Sequence, residues 1–165
     1  MSGEVVVRPV EPREYEAVGD ITAAAYSSVD GFSAGARYQA ELRDVAGRVE
    51  TADVLVAAAP DGRLLGAVTY VPGLGPLAEF EGADEAGMRM LAVDPAAQRQ
   101  GVGRLLAQAC VERARAAGRS RLVLHTTSHM HGAHRLYRGL GFTRTPELDI
   151  RTQGGMLLEA YVYAF

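Results

Sequence analysis

The period of the hydrophobic positions changes several times along the chain, and each change marks an element. Val5–Val7 is a short β-branched run that ends at Arg8-Pro9 and predicts a first strand. From Glu11 the period lengthens, and Tyr15, Val18, Ile21/Thr22 and Ala25 fall on one face of a helix. Ser27–Gly35 reads as a loop, and a second helix is predicted from Ala36 to Arg48. Val54–Ala59 and Leu64–Val71 are two strands joined by the turn Pro60-Asp61-Gly62. Met88–Val93 is the next strand, and Asp94-Pro95 ends it. Gly101–Ala117 is a helix with Val102, Leu105, Leu106, Ala109 and Cys110 on its buried stripe, closed by Gly118. After a strand at Arg121–Thr126, a short helix over Gly132–Leu140 turns Ala133, Leu136, Tyr137 and Leu140 inward and is closed by Gly141. Phe142–Ile150 and Met156–Tyr163 are predicted as the last two strands. The order β-α-α-β-β-β-α-β-α-β-β predicts a mixed α/β (α+β) sheet of about seven strands flanked by about four helices.

A chain of 165 residues, 48% of them hydrophobic, is expected to form one domain over 1–165 with a core of its own. Its net charge of −3 disfavours a basic groove for nucleic acid. Cys110 is the only cysteine, so no internal disulfide is expected. No basic-then-apolar leader opens the chain, and no apolar run approaches the ~20 residues that span a bilayer. These features predict a cytoplasmic protein without a membrane partner.

One stretch asks for chemistry. Leu91-Ala92-Val93 is followed by Asp94–Gln100, then by Gly101 and Gly103 at the start of a helix. Bare N–H groups at a helix N-terminus suit an anion. A Walker A loop needs Lys-Ser or Lys-Thr after its last glycine, and the chain has neither. A dinucleotide fingerprint needs a third glycine at 106, where Leu stands. A plain flexible turn remains the bland alternative.

Gln98-Arg99-Gln100-Gly101-Val102-Gly103, after a strand ending Leu91-Ala92-Val93, resembles the acyl-CoA signature of the GNAT superfamily of N-acyltransferases. Ala133–Phe142, AHRLYRGLGF, is similar to a second motif of that family, one strand further on. The resemblance implies a single GNAT-type domain that uses acetyl-CoA as co-substrate and no metal. It implies a pyrophosphate held at Gln98–Arg104, with Arg99 and Arg104 adding charge, and pantetheine laid along Leu91, Ala92 and Val93 as an added strand. One N–H of that strand would polarise the thioester carbonyl. The short helix would bring Ala133 and Tyr137 to the cofactor. Met130 stands where many relatives carry Asn, a departure that removes one pantetheine contact.

The resemblance further implies that Tyr137 is the general acid at the CoA sulfur; its alternative role is packing in the core. The base stays open. His125 matches the position of a Glu in one branch of the family, and imidazole titrates nearest neutral pH. Another branch carries a Glu on or before the strand Met88–Val93; here Gly87 and Arg89 take those positions, which leaves Glu79, Glu81 and Glu85 as alternatives. The 4 histidines, His125, His129, His131 and His134, fall close together, but no cysteine or carboxylate lies among them and metal binding is not expected.

Residues 72–88 hold Glu79, Glu81, Asp84 and Glu85 and no Lys or Arg. An acidic rim attracts a protonated amine, so a cationic amine on a small molecule or peptide is the expected acceptor. In the family this connection and the loop with Tyr26, Asp30 and Phe32 border the acceptor site. The expectation is an acetyl-CoA-dependent N-acetyltransferase, monomer or homodimer. The alternative is a non-catalytic acyl-CoA-binding module of the same fold.

Overall fold

In this computed structural model, which describes residues 4–27, 36–127, 131–152 and 154–165, the strands are β1 (Val6–Pro9), β2 (Asp53–Ala58), β3 (Leu64–Val71), β4 (Glu85–Val93), β5 (Arg121–Thr127), β6 (Thr143–Arg144), β7 (Ile150–Arg151) and β8 (Leu157–Ala164). The helices are α1 (Tyr15–Ser27), α2 (Ala36–Arg43), α3 (Val45–Arg48), α4 (Val102–Ala116) and α5 (His131–Leu140). The strands form one mixed sheet in the order β1-β2-β3-β4-β5-β8-β6, and β7 pairs with β8 beside β6. Among the described residues only β4 and β5 run parallel; the remaining pairs are antiparallel.

Both faces of the centre are covered, and so β3 is buried from Leu65 to Val71 with Thr69 its one polar side chain. On one face Leu55, Val68, Tyr70, Met88 and Leu124 pack against Val102, Leu106 and Cys110 of α4. On the other, Val54, Val56 and Ala67 meet Val18 of α1 and Val45 of α3. Leu106 is fully buried, which stabilises by about 1.5–3 kcal/mol relative to an exposed side chain. Gly66 sets how close α4 lies: a Cβ there would come 2.7 Å from the Ala92 carbonyl oxygen and 3.1 Å from Val102 and Leu106.

Both glycine-closed helices end the same way. At α4, Gly118 (φ +70°) donates to Arg115 O and Arg119 to Ala114 O, each at 3.0 Å. At α5, Gly141 (φ +108°) donates to Arg138 O at 3.1 Å and Phe142 to Tyr137 O at 2.9 Å. This is the paired 6→1 and 5→2 closure that needs a left-handed residue at its turn. The apolar contact that accompanies it is the Tyr137–Phe142 ring pair, with centroids 5.7 Å apart.

Three expectations are corrected. The helix expected over 36–48 breaks at Asp44, whose Oδ1 accepts the Gly47 N–H at 3.0 Å and caps α3. The strand expected over 142–150 is split into β6 and β7 by a tight turn at Pro146–Leu148, because proline has no N–H for the ladder. The strand expected at 88 begins at Glu85.

Candidate functional site

A cleft opens where two neighbouring strands part. The β4–β5 ladder joins only Glu85–Met88 to Arg121–Leu124, whereas β4 continues to Val93 and β5 to Thr127. Past Met88 each strand keeps only its outer partner, β3 or β8. The inner edge of 89–93 therefore presents main-chain donors and acceptors with no strand opposite. A bulge accompanies the parting: Thr69 pairs with Arg89 and Ala67 with Ala92, so β4 carries an extra residue, and Met90 takes φ 54°. Leu91, Ala92 and Val93, the expected pantetheine strand, form this free edge.

The glycine loop stands at the end of that edge. Arg99 (φ 66°) and Gly101 (φ 80°) are both left-handed, which curls the loop into the N-terminus of α4. The first intrahelical bond runs from Leu105 N–H to Gly101 O at 3.1 Å, so the earlier N–H groups of the helix lack intrahelical partners. A Cβ on Gly101 would meet open space, and one on Gly103 would touch Leu136 of α5 at 3.4 Å and Val93 at 3.6 Å. Gln98, Arg99, Gln100 and Arg104 are exposed around the loop, while Val102 is buried and anchors the helix. Successive free N–H groups in such a concavity fit a pyrophosphate.

Across the cleft, on the face of the sheet covered by α1, lies His125. Its side chain is 1% exposed. Nε2 lies 2.9 Å from the Leu148 carbonyl oxygen; a carbonyl only accepts, so Nε2 carries a proton, and in the neutral ring Nδ1 is the nitrogen with the lone pair. Nδ1 is buried with no hydrogen-bond partner among the described residues, and faces Glu79 Oε1 at 3.9 Å. The same Glu79 oxygen lies 3.3 Å from Arg89 Nε. Arg89 also donates to Leu77 O at 3.3 Å, which pins the 72–84 connection onto β4. Phe80 lies over Gly87, where a Cβ would come within 2.7 Å of its ring.

The structure thus brings Glu79 and His125 together, while Glu85 stands apart. Glu85 sits at the closed end of the β4–β5 ladder, pairs with Arg121 and accepts the Gly82 N–H at 2.7 Å. Glu81 is exposed. Tyr137 is buried between Phe142 and Tyr161, and burial pushes its phenol well above the ordinary value. Ala133 packs against the same core. Met130, Asp30, Phe32 and His129 lie outside the described residues. Among the described residues no group of three potential metal ligands occurs. His134 Nε2 meets Thr127 O at 2.8 Å.

Sequence reasoning missed three parts of this wall. Arg89 stands at a position where one branch of the family carries Glu, and it holds Glu79. The Leu148 carbonyl carries no side-chain signal at all. Tyr38 packs edge-on against Tyr26, with centroids 6.2 Å apart, and burial raises both phenols. Beside the bulge a cavity of about 370 Å³ is lined by Arg89, Met90 and Arg48, with Glu41, Asp44 and Glu50 at its exposed rim.

The model of the Acetyltransferase (GNAT) family matches residues 16–142. No curated protein matches the sequence. Among solved structures, a GCN5-related N-acetyltransferase from Kribbella flavida superposes with TM-score 0.74 at 23% identity, over 98% of each chain. The Salmonella typhimurium protein yncA, solved with its cofactor acetyl-CoA, gives 0.71 at 21% identity over 98% of this chain and 94% of that one. A GNAT family acetyltransferase from Brucella melitensis in complex with acetyl-CoA gives 0.66 at 25% identity over 98% and 88%.

Proposed function

Because the chain belongs to the acetyltransferase (GNAT) family, we propose that it moves an acetyl group from acetyl-CoA directly to a primary amine of a small molecule or peptide. The observation that carries this reading is the parted β4–β5 edge, with free helix N–H groups at one end and the His125–Glu79 pair on the acceptor face. The loop suits the cofactor: Arg99 and Gly101 are both left-handed, α4 begins directly after them, and the space beside Gly101 is open. The N–H groups of 101–104 would hold the pyrophosphate, and the free edge at Leu91–Val93 would hold pantetheine. When bound, acetyl-CoA supplies the thioester whose acyl carbon a neutral amine attacks; the C–N bond forms, the C–S bond breaks, and the second amine proton ends on the sulfur, which leaves as a thiol.

The chain's own groups manage the protons. An amine nitrogen at ordinary hydrogen-bond distance from two acceptors, about 2.9 Å from each, spans the 3.9 Å between Nδ1 and Oε1. Glu79 would hold an arriving ammonium, and His125 Nδ1 would take its proton. The imidazolium so formed keeps its Nε2–H on Leu148 and gains the Glu79 carboxylate on the other side. Burial keeps the Tyr137 phenol protonated, as a hydrogen-bond donor to the departing sulfur requires. An N–H on the bulged edge of β4 would support charge on the thioester oxygen.

The charge around the site bears on the acceptor. Of the four carboxylates at 79–85, Glu79 is held by Arg89 and Glu85 by Arg121. Longer-range attraction of a cationic amine therefore falls to the exposed Glu81 and to the cavity rim of Glu41, Asp44 and Glu50, while Glu79 makes the close contact. The test is thiol release from acetyl-CoA over a library of amines, alongside calorimetric binding of acetyl-CoA. Thiol release with particular amines supports the enzyme; binding with none leaves a non-catalytic acyl-CoA module.

A further inference from the structure

Asp149 lies behind His125, and its contacts converge on the residue opposite that histidine. Arg144 grips Asp149 with two bonds, 2.5 and 2.7 Å. Asp149 Oδ1 also accepts the Ala160 N–H at 2.8 Å. Arg144 reaches the Ala160 carbonyl at 3.2 Å, and the Thr145 N–H donates to it at 2.9 Å. Ala160 is the β8 residue paired in register with His125 on β5. Between Thr145 and Asp149 runs the tight turn that ends at Leu148, closed by Leu148 N–H to Thr145 O and Asp149 N–H to Pro146 O, both 3.0 Å. That turn presents the carbonyl which meets His125 Nε2.

A turn of three residues has little rigidity of its own. Its position relative to His125 is set by what anchors its ends, and Asp149 is the anchor at the end nearer Leu148. We propose that Asp149 is a positioning residue for His125: with Arg144 and the Ala160 N–H it fixes the 146–148 turn, so that the Leu148 carbonyl takes the Nε2–H and leaves Nδ1 as the basic nitrogen in the cleft. This rests on the reading of His125 as the base. Without the anchor the Leu148 carbonyl would drift, the two tautomers would mix, and part of the population would present a protonated Nδ1 to the amine. The Asp149 carboxyl is held below its ordinary value, first by the hydrogen bonds from Arg144, so it stays an anion and an acceptor across the neutral range. The other charged groups near the ring are Glu79 and, through it, Arg89. Glu159, opposite Thr126 on β8, lies 3.6 Å from Arg144 and adds to the clamp.

The experiment combines nitrogen NMR of ¹⁵N-histidine-labelled protein with rate–pH profiles, the His125 signal being assigned by its loss in His125→Gln. In the unmodified protein His125 is expected in the Nε2–H tautomer. Asp149→Ala should mix the tautomers, displace the acid limb of kcat/KM and lower kcat about tenfold or more, within the range of general-base effects. Acetyl-CoA affinity should hold within about twofold, since the glycine loop is untouched. Asp149→Asn keeps an oxygen for the Ala160 N–H and should restore most of the tautomer and the limb. An Nδ1–H tautomer in the unmodified protein overturns the proposal, and that measurement needs no variant to fold. So does a folded Asp149→Ala protein with the original tautomer and limb. An active His125→Ala variant would instead sink the assignment of the base, while the tautomer measurement would still decide the role of Asp149.

Discussion

Nδ1 of His125 and Oε1 of Glu79 face each other across 3.9 Å, one on β5 and the other on the connection before β4. The gap is too long for a hydrogen bond, and a nitrogen set to one side of it can reach both atoms. Removing the imidazole should therefore cost turnover more than cofactor binding. His125→Ala is expected to lower kcat by roughly 10²–10⁴-fold, to abolish the acid limb of the rate–pH profile and to leave acetyl-CoA affinity nearly unchanged. Glu79→Gln should raise the acceptor KM more than it lowers kcat. Steady-state kinetics from pH 5 to 9 checks both; a His125→Ala enzyme with an intact limb would move the base to the acidic connection.

Gly103 sits where the loop, the end of β4 and α5 meet. A single methyl there makes ordinary contacts with Leu136 and Val93, at 3.4 and 3.6 Å, so Gly103→Ala should fold and bind. The two further carbons of valine would crowd the N–H groups proposed to hold the phosphates. Gly103→Val is expected to weaken acetyl-CoA binding more than tenfold, about 1.4 kcal/mol, with an unaltered circular dichroism spectrum. Calorimetry showing equal affinity would remove this loop as the phosphate cradle.

The acid side of the stability curve should depend on Glu14. Arg8 binds both its oxygens at 2.8 Å, and the Glu11 N–H donates to Oε1 at 2.9 Å. These contacts, Arg8 first, lower its pKa from 4.5 to about 2. The folded value lies below the unfolded one, so the stabilisation is complete above about pH 4.5 and fades as pH falls toward 2. Glu14→Gln should cost about 1–3 kcal/mol at neutral pH, with a smaller deficit below pH 3. Urea melts at pH 7 and pH 3 test this: an equal deficit at both would mean that packing, not charge, is what the substitution removes.

The parts of the site that sequence exposed are those a local backbone rule dictates. Gly101 and Gly141 occupy left-handed turns that only glycine adopts cheaply, so the turn into α4 and the close of α5 could be read in place. The family pattern around Tyr137 has a physical core, since Tyr137 and Phe142 are the two residues joined by the 6→1 bond and by ring contact. The partnership of Glu79 with His125 was not legible in the same way. It depends on a connection folding back over Gly87 and on Arg89 reaching Leu77 O, and neither contact leaves a periodic trace. Glu85 read as equal to Glu79 because both precede the strand; only the fold shows that one faces the cleft and the other Arg121. Asp44 and Pro146 interrupted elements whose apolar spacing ran on through them, so local capping and a missing N–H overrode periodicity.

Tyr137 has a packing role and a proposed catalytic one, and substitution can separate them. Its ring packs against Phe142 and Tyr161, with centroids 5.7 and 6.0 Å away, and its phenol is raised by burial. A raised phenol is a durable donor and a reluctant acid. Complete transfer of its proton to a thiolate, whose ordinary pKa is about 8.5, runs uphill, so the contribution proposed for it is a hydrogen bond that strengthens as the C–S bond breaks. Tyr137→Phe keeps the ring and deletes the hydroxyl. The melting temperature should then stay within a few degrees and acetyl-CoA affinity within about twofold, while kcat falls roughly 10²-fold, the lower end of acid catalysis. The loss should shrink with acyl donors whose thiol is a better leaving group, because such a sulfur needs less help. Parallel kinetics with acetyl-CoA and a more reactive acyl thioester, beside a thermal melt, make the comparison. Near-normal turnover in the Phe variant would reduce Tyr137 to a packing residue and leave the thiolate to solvent.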